Sequence, residues 1–302
     1  MIRASVIVPA RAGEVSLPAV LAAILDAAAA AAVDGLDEVV IVTDGGVLRP
    51  PLPTPAEGLA LREVTNDRPG KFAALGAGVA AAAGESLVLV DADVVPSRGA
   101  FSEVLRPLSE GVAEACAGHL RVAARPGIGP TAGLLEHWAG ISWEAWHRHR
   151  MVAGAWCWAL PGGLYAIRRD VFPAEVLCPA VDDASIGLQV LDAGGRFAYA
   201  PQALAHVLAP STYEDWLRQK LRSRLGWAVL ARERPQEVAA LRREFRRHLR
   251  DVTQGDRTAW LLSAQDHCLR GAARAAVRLG ATPRARWKPA ASTKEWLPST
   301  AR

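Results

Sequence analysis

Two aspartates one residue apart, Asp91 and Asp93, end the apolar run in LVLVDADVVPS (87–97). Carboxylates at i and i+2 of an extended chain project to the same side. They are hard oxygen ligands of the kind that holds Mg2+ or Mn2+. A divalent cation is useful where a diphosphate must be held or must leave, because it neutralises the developing charge. D-x-D alone is frequent, and a surface turn explains one of the two acids. A second acidic pair, Asp182 and Asp183, opens VDDASIGLQVLDAGGRFAYAP (181–201). These residues sit where a helix N-cap belongs. One carboxylate suffices for a cap, so the second suggests further work. Between the pairs, residues 131–158 hold Trp138, Trp143, Trp146, Trp156 and Trp158, five of the ten tryptophans, with His137, His147 and His149 among them. Trp138 and Trp146 lie about two helical turns apart, a spacing that fits core packing and leaves an acceptor-binding surface open. The histidines lack a fixed ligand spacing and are a weak metal signal.

The elements that must position these residues alternate strand and helix. Residues 4–10 read as a β-branched strand ending at Pro9, 17–33 as a helix, and 37–46 as a second strand ending at Asp44 and two glycines. Prolines make 49–55 a loop. A weaker strand at 59–67, a helix over 71–84 and a strand over 86–93 follow. This rhythm predicts an α/β fold with a mainly parallel sheet and helices on both faces. Ligands of such sheets bind beyond the carboxyl ends of the strands, where Arg11, Asp44, Asp91 and Asp93 are expected. Further on, 161–173 reads as a Gly-rich turn into a short strand, and 181–201 as a helix ended by Gly194–Gly195 and then a strand. The tail from about 211 reads as helical, opened by Ser/Thr and acidic residues, with 286–302 irregular.

The chain has 302 residues, half of them apolar, enough for one large domain with an appendage. The net charge is +4, and residues 218–250 carry eleven Arg or Lys against three Glu. That stretch reads as a solvated helical face, or as a surface facing anionic groups. No nucleic-acid motif accompanies it, so nucleic acid is not an expected partner. The four cysteines include no C-x-x-C, which argues against zinc and a disulfide framework and fits a reducing cytoplasm. No run reaches the roughly 18 apolar residues of a membrane span, and the N-terminus shows no cleavable signal pattern.

Six stretches in order resemble the family-2 glycosyltransferases, whose nucleotide-binding fold is called GT-A. SVIVPAR is similar to their opening strand. VIVTDGG is similar to V-D-D-G-S, with Thr43 in place of the first Asp. GKFAALGAGVAAAAGESLVLVDAD resembles the G-K-x-x-A-L-N-x-G run leading to D-x-D, with Gly76 for Asn. GGLYAIRRDVF resembles the Gly-Gly strand that lines the acceptor side. DDASIGLQVLDAGGRFAYAPQALAH resembles the E-D-x-x-L-x-x-R helix and its following strand, with Asp182 for Glu and Gln189 for Arg. RQKLRS resembles Q-x-x-R-W, with Ser223 for Trp. The resemblance covers about residues 3–227. It implies a GT-A glycosyltransferase domain over 1–227 and a helical extension over 228–302.

It also implies an inverting displacement at the anomeric carbon of a nucleotide-sugar, with uracil the expected base. Asp183 would be the general base. Asp93 would bind Mg2+ or Mn2+, with Asp91 on the ribose or the metal and His206 close to the metal or diphosphate. Asp44 would hydrogen-bond the base, with Pro9, Ala10 and Arg11 packing nearby and Ala92 also at the nucleotide. Arg68 or Lys71 would approach the base or diphosphate, and Gln219 and Arg222 would close over the diphosphate. The lost Trp and the lack of spanning helices imply a single transfer rather than polymer synthesis. RWKPAASTK resembles a segment that follows the membrane region of some relatives. The helices at 228–280 are therefore expected to lie against the inner face of a membrane or in a homodimer contact. The acceptor stays open among a lipid carrier, a glycan and a small natural product. VIVPARAG also resembles the start of sugar-nucleotide cytidylyltransferases, although Glu14 and the missing Lys ill suit a triphosphate. A non-catalytic binding protein on the same fold is the third reading.

Overall fold

The computed structural model describes residues 3–11, 14, 16–31, 35–43, 52–154 and 157–282. In chain order the elements are β1 (Ala4–Ala10), α1 (Leu17–Ala30), β2 (Leu36–Thr43), β3 (Ala60–Thr65), α2 (Lys71–Ala81), β4 (Ser86–Val90), β5 (Val94–Pro96), α3 (Ala100–Ser109), β6 (Ala115–Val122), α4 (Pro130–Ala153), β7 (Leu164–Arg168), α5 (Asp182–Asp192), β8 (Phe197–Val207), α6 (Tyr213–Glu233), α7 (Pro235–Val252) and α8 (Ala259–Arg278). The strands form one eight-stranded sheet of order β3-β2-β1-β4-β7-β6-β8-β5.

β3, β2, β1 and β4 run parallel. Val6 and Val8 of β1 enter the core layer shared with α1 and α3. Ile7 enters the opposite layer, with Leu75 of α2, Ile186 of α5 and Leu230 of α6. This is the alternation that a strand covered on both faces requires. The expected α/β architecture is therefore present. β7 runs antiparallel to β4, pairing Leu164 with Val90. Its preceding glycines, Gly162 and Gly163, thus lie at the carboxyl edge of the parallel strands. A smaller core joins α4, α6 and α8 through Leu135, Trp138, Trp216 and Leu262.

Two details differ from the expected elements. The strand expected over 86–93 stops at Val90. The Asp91 amide donates to the Gly163 carbonyl at 3.3 Å, and the Val94 amide turns back to the Asp91 carbonyl at 3.0 Å. Asp91 and Asp93 therefore occupy a turn between β4 and β5, not a continuous strand. The boundary expected after residue 227 falls inside α6, which continues to Glu233. Its start matches expectation: Thr212 caps it, the hydroxyl accepting from the Asp215 amide at 3.2 Å. α5 packs where only glycine fits at position 187. A Cβ there would lie 1.8 Å from the Trp158 carbonyl oxygen. Asp44, Trp156 and the RWKPAASTK segment lie outside the described residues.

Candidate active site

A cavity of about 490 Å3 opens at the carboxyl edge of β1 and β4. Its walls include Pro9, Ala10, Arg11 and Glu14 after β1, Lys71 at the start of α2, and Asp91, Ala92 and Asp93 in the β4–β5 turn. Asp182 and Asp183 enter from the first turn of α5, and Gln219, Arg222 and Ser223 from α6. Gln219 and Arg222 share a helical face at i, i+3. Of the residues expected at the site, Arg68 and His206 are not brought to it. Arg68 is exposed, and its amide donates to Asn66 Oδ1 at 3.3 Å. His206 sits inside β8, opposite Val95 and Arg121. Its neighbour Val207 lines the cavity, and strand alternation points His206 to the other face. The apolar Leu208 and Ala209 occupy the wall beyond the strand.

Lys71 ties the site together. Its Nζ lies 2.7 Å from Asp91 Oδ1, 3.0 Å from the Gly162 carbonyl and 3.9 Å from Asp182 Oδ2. Burial alone would lower its pKa, but the carboxylates of Asp182, Asp91 and Asp183 outweigh burial and hold it above the usual lysine value. The ammonium is thus already committed to acids, and the expected contact with the nucleotide is not its visible role. Asp91 is raised by burial, opposed by Lys71 and raised again by Asp93. Asp183 is raised to about 6, first by burial and then by Asp182, with Lys71 opposing. The Arg222 guanidinium is lowered by burial, against the fields of Asp182, Asp183, Asp91 and Asp93.

The second acidic pair does not act as an N-cap. Val181 holds that position, and no side chain caps the helix. Asp183 Oδ1 accepts from the Ala184 amide at 2.8 Å. Its Oδ2 faces Gly162, where a Cβ would sit 2.9 Å away. Asp182 is 7% exposed, and its Oδ2 has no hydrogen-bond partner. An orphaned, buried carboxylate oxygen beside acids whose pKa values are raised marks a site short of positive charge. The residues therefore fit a divalent cation, with Asp91 and Asp93 as its oxygen donors. Among the described residues no group of three or more His, Cys, Asp or Glu is placed to hold a metal ion, so a cation there would rest on these two carboxylates and on the diphosphate it neutralises.

The tryptophans divide between two roles. Trp138 is buried against Trp216, ring centroids 6.1 Å apart, and Trp158 is buried against Trp227. Trp143 and Trp146 line the cavity. Their neighbour Arg150 was not singled out from the sequence. It completes the i, i+3, i+7 row Trp143, Trp146, Arg150 that faces the cavity. The hydroxyl of Tyr165 was also missed. It is buried without a partner near the same acids, and burial and their charges raise its pKa.

The comparisons agree with this geometry. The model of the family described as "Glycosyltransferase like family 2" matches residues 3–226. The chain belongs to that family. Among solved structures, glucosyl-3-phosphoglycerate synthase from Mycobacterium tuberculosis, in complex with Mn2+, UDP-glucose and phosphoglyceric acid, is 20% identical. That match covers 79% of this chain and 80% of that one, with a TM-score of 0.51. A mannosyltransferase from Pyrobaculum calidifontis, in complex with GDP-Man and Mn2+, is 20% identical over 93% of this chain and 77% of that one, with a TM-score of 0.51. At these identities the likeness is one of fold, and the fold is GT-A. No curated protein matched the chain.

Proposed function

We propose that this protein transfers one sugar from a nucleoside-diphosphate sugar to an acceptor hydroxyl, with inversion at the anomeric carbon. The observation that carries the reading is Asp183, held in the cavity beside Gly162 with its pKa raised to about 6. A carboxylate of that basicity is mostly ionised at neutral pH and close enough to neutrality to take a proton. Asp183 Oδ2 takes the acceptor's hydroxyl proton as that oxygen bonds the anomeric carbon. The bond to the diphosphate breaks on the opposite face, and the diphosphate carries away the electron pair. Gln219 and Arg222 face the leaving diphosphate from α6.

Asp93 would hold Mg2+ or Mn2+, with Asp91 assisting or turned to the ribose, and the cation would supply charge neutralisation at the diphosphate. The walls around Pro9, Ala10, Arg11 and Ala92 would receive the nucleoside, with uracil the expected base. The two solved structures named above hold UDP-glucose or GDP-Man with Mn2+, which supports a metal-assisted donor. A peripheral membrane contact is supported by α7. It exposes Arg243, Arg246, Arg247 and Arg250, a basic face that suits anionic headgroups. Among the described residues no helix is long and apolar enough to cross a membrane.

The test is a panel of UDP-, GDP- and dTDP-sugars scored for thermal stabilisation and for slow hydrolysis, with and without Mn2+ or Mg2+. One donor should stabilise the fold only with metal present. A panel in which no nucleotide binds under either condition overturns the reading.

A further inference from the structure

Arg150 lies in the last turn of α4 and on the cavity wall, yet is 3% exposed. Its Nη2 donates to the Ala159 carbonyl at 3.1 Å. The guanidinium also bonds the Cys157 thiol, and its carbon lies 5.1 Å from the Trp146 ring centroid. Its Nε is buried with no partner. Its recorded contacts include no carboxylate. Of the carboxylates nearest this cluster, Glu144 is paired with Arg148 at 2.9 Å and Glu244 with Arg247 at 3.3 Å. His147, His149, Cys157 and Tyr199 are mostly uncharged near pH 7. Burial, then Arg150 itself, lowers His149 to about 4. Burial raises the Cys157 thiol and the Tyr199 phenol and lowers His147. A buried cation whose nearby acids are paired with other arginines is a charge without a counter-ion of its own.

The donor's diphosphate is not the natural counter-ion, because Arg222 is the arginine that shares the field of Asp91, Asp93, Asp182 and Asp183. We propose that Arg150 binds an anionic group, a phosphate or a carboxylate, carried by the acceptor, so that the enzyme glycosylates a hydroxyl of an anionic molecule. The planar guanidinium presents a fork that suits either group. Ala159, which Arg150 holds, is three residues before Gly162, which abuts Asp183. Three residues span at most roughly 10 Å, so an anion on Arg150 and a hydroxyl at Asp183 belong to one small acceptor or one acceptor headgroup. Trp143 and Trp146 give the part between an apolar wall. Lys220 adds a second cation on the α6 wall, its Nζ 4.3 Å from the Trp216 ring centroid. Burial and then Arg224 lower its pKa to about 8, so an anion bound beside it would favour its charged form.

The inference rests on the transferase reading, and the test separates the two. Inorganic phosphate and methyl phosphate are titrated into the protein, alone and with UDP or GDP plus Mn2+ saturating, by calorimetry and thermal shift. The parental protein should bind phosphate on top of the nucleotide. Arg150→Gln and Arg150→Met should keep the nucleotide response and weaken the phosphate response by roughly 10- to 100-fold, the range for losing hydrogen bonds between charged groups. Neither variant should melt lower than the parental protein without ligand. A parental protein that ignores phosphate overturns the inference, as does a variant whose phosphate response stays within twofold. If the neutral variants do not fold, Arg150→Lys carries the test. It keeps the charge and loses the fork, so its phosphate response should weaken several-fold, and an unchanged response overturns the inference. Failure of every nucleotide to bind, with phosphate binding intact, strikes the transferase reading instead. Vesicles of phosphatidate against phosphatidylcholine form the last arm. Arg150-dependent binding to phosphatidate vesicles, with weak methyl phosphate binding, assigns the anion to a lipid headgroup; strong methyl phosphate binding assigns it to a soluble acceptor.

Discussion

Asp183→Asn separates the chemistry of the site from the stability of the fold. Asn keeps the shape, and its Oδ1 can still accept from the Ala184 amide that now lies 2.8 Å from Asp183 Oδ1. Only the charge is lost. In the folded protein burial and then Asp182 raise Asp183 to about 6, from the 3.8 of an ordinary aspartate. At 1.36 kcal/mol per unit, ionising Asp183 costs the fold at most about 3 kcal/mol. Solvent access and the shared titration of neighbouring acids reduce that to roughly 1–2 kcal/mol. The sign follows from the direction of the shift. An acid with a raised folded pKa leaves stability intact below pH 4, where it is protonated folded and unfolded. It removes stability as the pH rises from 4 through 6. The variant should therefore match the parental protein at pH 4 and melt roughly 2–6 °C higher at pH 8. Transfer should fall by at least about 100-fold, the lower bound for losing a general base, while nucleotide binding persists. Parental transfer should rise with pH through about 6. Differential scanning fluorimetry across pH, with a product assay at saturating donor, reads both halves. A variant that melts lower at pH 8, or whose advantage is the same at pH 4, refutes the assigned electrostatics. Full activity refutes the assigned base.

Lys71→Met removes the ammonium that lies 2.7 Å from Asp91 among the acids. The fold should lose roughly 1–3 kcal/mol above pH 6, discounted from the full cost of breaking a buried pair because both side chains are partly exposed. Adding Asp91→Asn should restore part of it, which urea unfolding of the single and double variants measures. Gly187→Ala places a methyl 1.8 Å from the Trp158 carbonyl. The backbone must shift, so the soluble yield or the thermal midpoint should drop steeply, by roughly 3 kcal/mol or more. Circular dichroism melts decide it. Asp93→Asn should abolish the metal-dependent part of nucleotide binding and leave the melting curve of the free protein little changed. Calorimetry with UDP or GDP, with and without Mn2+, provides the comparison.

The parallel strands β1, β2 and β4 were legible because their residues carry signals that packing does not override, apolar β-branched runs closed by Pro, Gly or Asp, whereas the mostly exposed edge strand β3, ALREVT, gave a weaker one. That Asp91, Asp93 and Asp183 meet at one cavity followed from the order of the family's motifs, since charge at a strand end or helix start does not by itself say which acids converge. α3 and β6 went unassigned although both are well formed, because ACAGHLRV lacks a clean alternation and its pairing with β7 and β8 is what makes it a strand. His206 was misplaced by parity. The residue facing the cavity is Val207, one position on, and a one-residue offset exchanges the faces of a strand. Nothing local in RFAYAPQALAH sets that parity; the pairing of Val94 with Val207 does. The Trp-rich stretch was ambiguous for a similar reason. Trp138 and Trp146 occupy one helix, yet whether a face becomes core or cavity depends on α6 and α8 arriving over one end of it.

Magnitudes decide whether Arg150 is merely a structural residue. It sits in the last turn of α4, where a cation meets the negative end of the helix dipole. That interaction is worth about 0.3–1 kcal/mol, and about 2 kcal/mol in favourable partly buried cases. The Trp146 ring at 5.1 Å adds roughly 0.5–2 kcal/mol. The hydrogen bond that the charged guanidinium donates to the Ala159 carbonyl adds about 1.5–3 kcal/mol. Against these stands an effective desolvation cost of several kcal/mol for an ion taken out of water. The two sides come out near balance, so the helix end, the ring and the carbonyl together can hold the guanidinium in place but leave it no surplus. A purely structural role would be served as well by Met or Leu on the same apolar face, at no desolvation cost. What an arginine offers beyond them is a fixed, dehydrated positive charge at the cavity, and a dehydrated charge binds an incoming anion more strongly than a surface arginine that must first shed its water.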